Sequence, residues 1–137
     1  MEIKKFPDYF PEDCPPEEAT EKEMTLFRLC EHNYPCEKDF LPYVILYPDR
    51  EKYKTNVLAY GLSTLPSVKD CNHLLEISPK RRSCTKCIAF GKVNGDTGKV
   101  LNTPNKDNPN HMTWWVYEGV KPHTFFTAYQ EGGAKDE

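Results

Sequence analysis

Prolines interrupt this chain along most of its length, and they limit how long any helix or strand in it can be. The 137-residue sequence contains twelve of them, and proline lacks the backbone N–H that helix interiors and central strands need. Four fall within the first sixteen residues, so residues 1–19 are expected to form a proline-rich, acidic arm. The chain is therefore predicted to fold from short elements joined by irregular connections.

Length and composition fit one small globular domain. Domains typically contain about 100–150 residues, and apolar and charged fractions of 38% and 28% are those of a folded chain. We expect residues 20–130 to form a single α+β domain, with a small, mostly antiparallel β-sheet and one or two short helices. Residues 131–137 are expected to be a disordered tail.

Charge and hydropathy argue against several functional classes. With a net charge of −3, a wholly basic nucleic-acid-binding surface is not favoured, although Lys80-Arg81-Arg82 is a candidate for local phosphate contacts. No run approaches the ~18 apolar residues that a membrane span needs, and the polar N-terminus has no apolar signal core. We therefore expect a soluble, cytoplasmic protein with no membrane contact and with its six cysteines reduced.

Period-two patterns and turn residues predict the strands. Strands are expected over residues 25–30, 57–62, 111–118 and 123–129, although Met24, Phe27 and Cys30 also fit the spacing of a helix. The pair Asn94-Gly95 lies between two further apolar runs, residues 86–93 and 99–103, and such a pair favours a tight turn. These two runs are therefore predicted to form a β-hairpin.

Capping residues and prolines predict the helical segments. Ser67 with Asp70 forms a capping pattern that opens a helix, which Pro79 is expected to stop. The basic residues 80–82 are then expected to form a loop. Residues 43–47 fit either a strand or a helical turn.

The pair Cys84 and Cys87 has the spacing of half a zinc site. Further ligands would come from the other cysteines and histidines, namely Cys30, His32, Cys36, Cys71 and His73. However, Cys87 leads directly into a predicted strand, on which side chains three apart point to opposite faces. We therefore expect no metal here, and a zinc-binding module is only the third functional alternative.

Residues 111–118 form the most unusual stretch of the sequence. On an extended strand His111 and Trp115 share one face, whereas Trp114 and Glu118 share the other. Both faces carry large side chains, so they need either packing on two sides or a ligand on one. An aromatic face with an imidazole suits a flat ring, but a central strand with both indoles in the core explains the same pattern.

Arg28 and the pair Ser63-Thr64 are further candidate ligand-binding residues. Arg28 stands in an apolar run, where an arginine snorkels to solvent, pairs with a carboxylate, or faces an anion such as pyrophosphate. Ser63 and Thr64 follow Gly61 at the end of a predicted strand. Their hydroxyls can bind a ligand there, or they can simply serve the turn and the helix cap.

In chain order, these residues resemble the Arg / Ser-Thr / Glu arrangement of ADP-ribosyltransferase-like folds. The resemblance implies an NAD site with catalytic residues Glu118, Ser63 and Thr64 and cofactor-binding residues Arg28, Trp114 and His111. Arg28 would hold the NAD phosphates, and Ser63-Thr64 would order the ribose side. Glu118 would steady an oxocarbenium-like transition state, with Gln130-Glu131 as the other candidate. Trp114 would stack on nicotinamide.

Two functions stand ahead of the zinc alternative. The first is a small cytoplasmic ADP-ribosyltransferase-like enzyme that binds NAD and acts on a protein or nucleic-acid acceptor. The second is a non-catalytic protein-interaction or regulatory module. Its expected sign is an exposed aromatic patch, and residues 1–19 would then tether it to a protein partner.

Overall fold

Within residues 4–130, six strands form two small antiparallel sheets, which confirms the predicted α+β class. The computed structural model of the chain describes residues 4–130, and its strands are β1 (Met24–Cys30), β2 (Leu62–Thr64), β3 (Cys87–Val93), β4 (Gly98–Asn102), β5 (Met112–Val116) and β6 (Thr127–Ala128). One sheet has the order β1-β3-β6 and the other the order β2-β5-β4. The predicted tail at residues 131–137 lies outside the described residues.

The helices are short, as the prolines predict. The α-helices are α1 (Tyr43–Leu46), α2 (Glu51–Lys54), α3 (Val68–Ile77) and α4 (Pro79–Cys84), and 3-10 helices occupy Glu37–Phe40, Val57–Tyr60 and Pro122–Thr124. The predicted cap of α3 is confirmed, because the Ser67 side chain accepts a hydrogen bond from the Asp70 backbone N–H at 3.1 Å. Among residues 4–130, none of the helices has the length and apolar character to cross a membrane.

The two sheets meet edge to edge at β1 and β2. Phe27 and Leu65 exchange both backbone hydrogen bonds, at 2.7 and 2.8 Å. In an antiparallel bridge the residue after one partner lies beside the residue before the other. This junction therefore brings Arg28 next to the end of β2.

Both faces of β5 are packed, as the two large residues in its middle suggested. Trp114 has no exposed surface and belongs to the main core between the sheets, with members that include Leu26, Val100 and Phe126. Trp115 is equally buried on the opposite face. Its indole N–H donates to the Val57 carbonyl at 3.0 Å, so β5 is a central strand with two cores.

The proline-rich arm packs on the body of its own chain. The Phe6 ring lies 4.7 Å from the Tyr117 ring, and the Phe10 ring lies 5.6 Å from the Tyr60 ring. Further along the arm Cys14 is buried in the cluster around Trp115. The described part of the arm therefore covers the outer face of β5 rather than extending away as a tether.

The predicted hairpin is wrong. β3 pairs with β1 and β6, whereas β4 pairs with β5, so the two strands belong to different sheets. A tight turn does form at Asn94, whose carbonyl accepts from the Thr97 N–H at 3.1 Å. The Asn-Gly pair determines a local change of direction, but the pairing partners of each strand are decided by the whole sheet.

The strand predicted over residues 57–62 is also wrong in its first part. Val57–Tyr60 forms a 3-10 helix, and only Leu62 and its successors continue as β2. The Asn56 side chain accepts from the Leu58 N–H at 3.0 Å and thereby caps the helical turn. Local capping and the bond from Trp115 outweigh the strand preference of this apolar segment.

Two other segments have a secondary structure that differs from the predicted one. Residues 80–82 belong to α4 rather than to a loop, since the Ser78 hydroxyl accepts from the Arg81 N–H at 3.3 Å and a proline occupies the first helical position. The strand expected over residues 123–129 shrinks to the two residues of β6, because its first part turns as the helix Pro122–Thr124.

Candidate functional site

Arg28, Ser63 and His111 meet where β1, β2 and β5 run side by side. The Arg28 Nη1 donates to the Ser63 carbonyl at 2.6 Å. The Ser63 Oγ lies 2.8 Å from the His111 Nε2. The sequence had singled out all three residues, and the junction of the two sheets brings them into one hydrogen-bonded group.

Hydrogen bonds hold both ring nitrogens of His111. The ring Nδ1 lies 2.9 Å from the Thr103 Oγ1 and 3.1 Å from the Thr103 carbonyl oxygen, and Nε2 lies 2.8 Å from the Ser63 Oγ. Burial lowers the pKa of His111, and the positive charges of Arg81 and Arg28 lower it further. The hydrogen bond to the Thr103 backbone raises this pKa but does not outweigh burial. The imidazole is therefore neutral at pH 7, with its ring orientation fixed.

Thr103 and Thr113 extend this hydrogen-bonded group, and sequence reasoning missed them as functional residues. The Thr103 Oγ1 lies 2.9 Å from the His111 Nδ1 and 2.7 Å from the Thr113 Oγ1. Thr113 is buried, with 2% of its surface exposed. Its place on the same strand face as His111 was a signal, whereas nothing local pointed to Thr103. A third group that orients a histidine beside a serine is what general-base chemistry requires.

Arg28 is a half-buried cation that forms no ion pair within residues 4–130, although the charges of Asp39 and Glu31 act on it from a greater distance. Its Nε donates to the Asp39 carbonyl at 2.7 Å, and the guanidinium stacks 5.8 Å from the Phe40 ring centre. The five ion pairs of the described chain do not include it. Burial lowers the pKa of Arg28, but a guanidinium remains charged near neutral pH. Two of its five N–H groups are used, which leaves donors for an anion.

Thr64 and Trp114 do not face this group. Thr64 is 1% exposed, and its hydroxyl donates to the Met112 carbonyl at 3.0 Å. Trp114 is fully enclosed in the main core, and an indole without a free face offers no surface for nicotinamide to stack on. Both residues therefore support the fold beneath the site rather than contact a ligand.

Glu118 lies at the other end of β5 from His111. The five residues of a strand such as β5 span about 16 Å, and Glu118 lies two residues beyond Val116, the last of them. Its Oε1 contacts the Lys5 Nζ at 3.3 Å. It lines an apolar cleft of about 180 Å³ with residues such as Phe10 and Ile45, a volume below the ~300 Å³ of typical ligand pockets. Glu118 is therefore not part of the group around Arg28. Of the other candidate carboxylate segment, Gln130 is exposed and Glu131 lies outside the described residues.

The predicted cysteine pair does not form a compact metal site. Cys84 is exposed at the end of α4, and Cys87 is half-buried at the start of β3. All six cysteines lie within residues 4–130 and carry free thiols. A different set, His32, Cys36 and Asp39, places its potential ligand atoms within 4.8 Å of one another.

Comparisons of this chain with protein-family models, with curated proteins and with solved structures found no match. The function must therefore be inferred from the chemistry of its own side chains. Among those, Arg28, Ser63 and His111 form a hydrogen-bonded group that combines a guanidinium, a hydroxyl and an imidazole.

Proposed function

We propose that the chain is an ADP-ribosyltransferase-like domain that binds NAD at the face formed by Arg28, Ser63 and His111 and acts on a protein or nucleic-acid acceptor. One observation supports this above all others. A half-buried guanidinium without a carboxylate partner among residues 4–130 lies one hydrogen bond from a serine that is itself bonded to a neutral histidine.

The chemistry of the three side chains matches different parts of a dinucleotide. The planar fork of Arg28 suits pyrophosphate oxygens, and the positive charge of Arg81 acts on the same region, as its effect on the pKa of His111 indicates. The Ser63 hydroxyl and the neutral His111 can exchange hydrogen bonds with ribose hydroxyls. Binding on this face would therefore combine charge pairing with polar recognition of the sugar.

Transfer would require a group that stabilises positive charge on the ribose as the nicotinamide bond breaks. The family resemblance gives this role to Glu118, which lies at the far end of β5 and contacts Lys5. We therefore assign NAD binding, rather than the transfer step, to Arg28, Ser63 and His111. Glu118 is not needed for that binding.

Replacing Arg28 with alanine is expected to weaken NAD binding by about 10–100-fold. Hydrogen bonds from a charged donor contribute about 1.5–3 kcal/mol, which corresponds to this range. The measurement is calorimetric titration of NAD into the full chain and into the Arg28→Ala variant, with thermal unfolding of both to confirm that each is folded.

Two further variants make this test specific. His111→Ala should also weaken NAD binding, whereas Glu118→Gln should bind NAD as the parent chain does. Release of nicotinamide from the same samples reports separately on transfer. The NAD proposal fails if the folded parent chain binds no NAD, or if folded Arg28→Ala binds it equally well.

A second candidate function, protein interaction, is favoured by an exposed aromatic patch on α1. We define the aromatic patch as Tyr43, Ile45, Leu46 and Tyr47, each with 40–44% of its surface exposed. None of the four residues of α1 is buried. The Tyr53 ring on α2 extends the patch, at 5.2 Å from the Tyr43 ring. Neighbouring apolar side chains that remain exposed are typical of a protein-binding surface.

Replacing Ile45 with aspartate is expected to abolish capture of a protein partner from native extract. A charge placed in an apolar contact costs about 2 kcal/mol or more, which lowers affinity by about 30-fold or more. Ile77→Asp is the matched control, because Ile77 is 45% exposed on α3, outside the patch. Equal capture by both variants would rule out the aromatic patch as the interface.

A further inference from the structure

His32, Cys36 and Asp39 lie together on the segment that follows β1. The His32 Nδ1 is 3.0 Å from the Asp39 Oδ1, and the Cys36 Sγ is 3.5 Å from the Asp39 Oδ2. All three potential ligand atoms lie within 4.8 Å of one another. We propose that these three side chains form a zinc site, distinct from the pair Cys84 and Cys87.

The spacing of the three ligand atoms fits one tetrahedral zinc ion. Zinc holds nitrogen, oxygen and sulfur ligands at about 2.0–2.3 Å, which sets such ligands about 3.2–3.8 Å apart. The distances of 3.0 and 3.5 Å run to different oxygens of the Asp39 carboxylate, and the three ligand atoms lie within 4.8 Å of one another, so side-chain rotation of up to about 1 Å would bring them to this spacing. Imidazole, thiolate and carboxylate together are a donor set that zinc prefers.

The backbone holds the carboxylate in place for this role. The Glu31 N–H donates to the Asp39 Oδ1 at 3.0 Å, and the Cys36 N–H donates to the Asp39 Oδ2 at 3.1 Å. Each carboxylate oxygen retains acceptor capacity beyond these bonds. The backbone bonds account for an aspartate at this position, but they require neither a histidine at 32 nor a cysteine at 36. Zinc would bind all three side chains and replace the His32–Asp39 and Cys36–Asp39 contacts that exist without it.

Two more thiols lie at the same end of the sheet. Cys30 and Cys87 are directly opposite each other at the end of the β1–β3 ladder. Neither thiol belongs to the group whose potential ligand atoms lie within 4.8 Å of one another. The three side chains therefore leave the fourth position of the ion to a water molecule.

Binding would be an exchange of a proton for the ion. The Cys36 S–H bond breaks, its proton goes to solvent, and the sulfur electron pair forms the bond to zinc, with no change in oxidation state. Asp39 is 7% exposed whereas His32 is exposed, so the ion would enter from the His32 side. Bound zinc would fix the segment between β1 and Phe40.

The test is titration of Zn²⁺ into the chelator-treated full chain without any nucleotide. We expect one equivalent to bind and raise the melting temperature, and Co²⁺ in its place to give thiolate-to-cobalt charge-transfer absorption. Loss of a group that merely supports a metal ligand weakens metal affinity by about 10–100-fold. Cys36→Ser and His32→Ala should each weaken Zn²⁺ binding by at least that factor.

Matched variants outside the cluster exclude general effects of losing a thiol or an imidazole. Cys84→Ser and His73→Ala remove exposed side chains and should leave Zn²⁺ binding unchanged. The proposal is overturned if the parent chain binds no stoichiometric Zn²⁺, or if Cys84→Ser abolishes binding while Cys36→Ser retains it.

Discussion

Replacing Trp114 with alanine is expected to lower the free energy of unfolding by about 3–5 kcal/mol. Trp114 has no exposed surface, and its strand partners on the two sides are Leu62 and Val100. Its ring also stacks on Phe126 at 5.6 Å. Alanine would leave a cavity at the centre of the main core. The cavity cannot collapse easily, because β5 is hydrogen-bonded to β2 on one side and to β4 on the other. Urea denaturation followed by circular dichroism measures the loss.

Phenylalanine at position 114 is the control for this prediction. The Trp114 indole N–H is buried with no hydrogen-bond partner in the described part of the chain, so Trp114→Phe removes an unsatisfied donor while it keeps most of the apolar volume. The expected cost is under about 2 kcal/mol. If Trp114→Ala instead unfolds within 1 kcal/mol of the parent chain, by the same order-of-magnitude scale, the core role of this residue is incorrect.

Replacing Gly98 with alanine is expected to cost about 2–5 kcal/mol of folding free energy. Gly98 has a φ of +155°, and a Cβ built on it would lie 2.1 Å from the Trp115 carbonyl oxygen. That oxygen belongs to the neighbouring strand β5, so relief requires a backbone shift in the β4–β5 pair. Chemical denaturation of Gly98→Ala measures the cost.

Gly119 is the control that distinguishes the steric clash at position 98 from the cost of a positive φ alone. Its φ is +88°, but a Cβ there would meet no atom within 4 Å. Gly119→Ala should therefore cost only the conformational penalty of about 1–2 kcal/mol. Equal costs for the two variants would show that the contact with Trp115 does not explain the requirement for glycine at position 98.

Local sequence patterns predicted the elements whose structure depends on interactions between residues close in the chain. The alternation of apolar residues predicted β1 to within one residue, and Ser67 with Asp70 predicted the start of α3. The large residues on both faces of 111–118 indicated packing on two sides as one option, which Trp114 and Trp115 confirm. Each of these signals depends on side chains a few residues apart.

Pairing between distant strands could not be derived in the same way. The turn at Asn94-Gly95 formed, yet its flanking strands joined different sheets because β1 and β5 offered them other partners. The segment 57–62 likewise turned into a helix, in part because its Val57 carbonyl accepts from Trp115, 58 residues away. Hydrogen-bond partners at this separation leave no trace in local periodicity.

The same distinction between local and distant interactions applies to the residues of the candidate site. Residue chemistry singled out Arg28, Ser63 and His111, and the fold joins them. Trp114 was chosen by the same reasoning but lies in the core, because alternation identifies the two faces of a strand without saying which one solvent reaches.

By itself, the sequence determined that the chain is a small α+β domain of short elements, since prolines, caps and period-two patterns act within a few residues. Only the tertiary structure decided that Arg28 meets Ser63 while Glu118 lies with Lys5 at the far end of β5. It also placed His32 and Cys36 around Asp39. The physical reason is that the Phe27–Leu65 bridge and the packing of two cores on β5 fix which distant residues become neighbours.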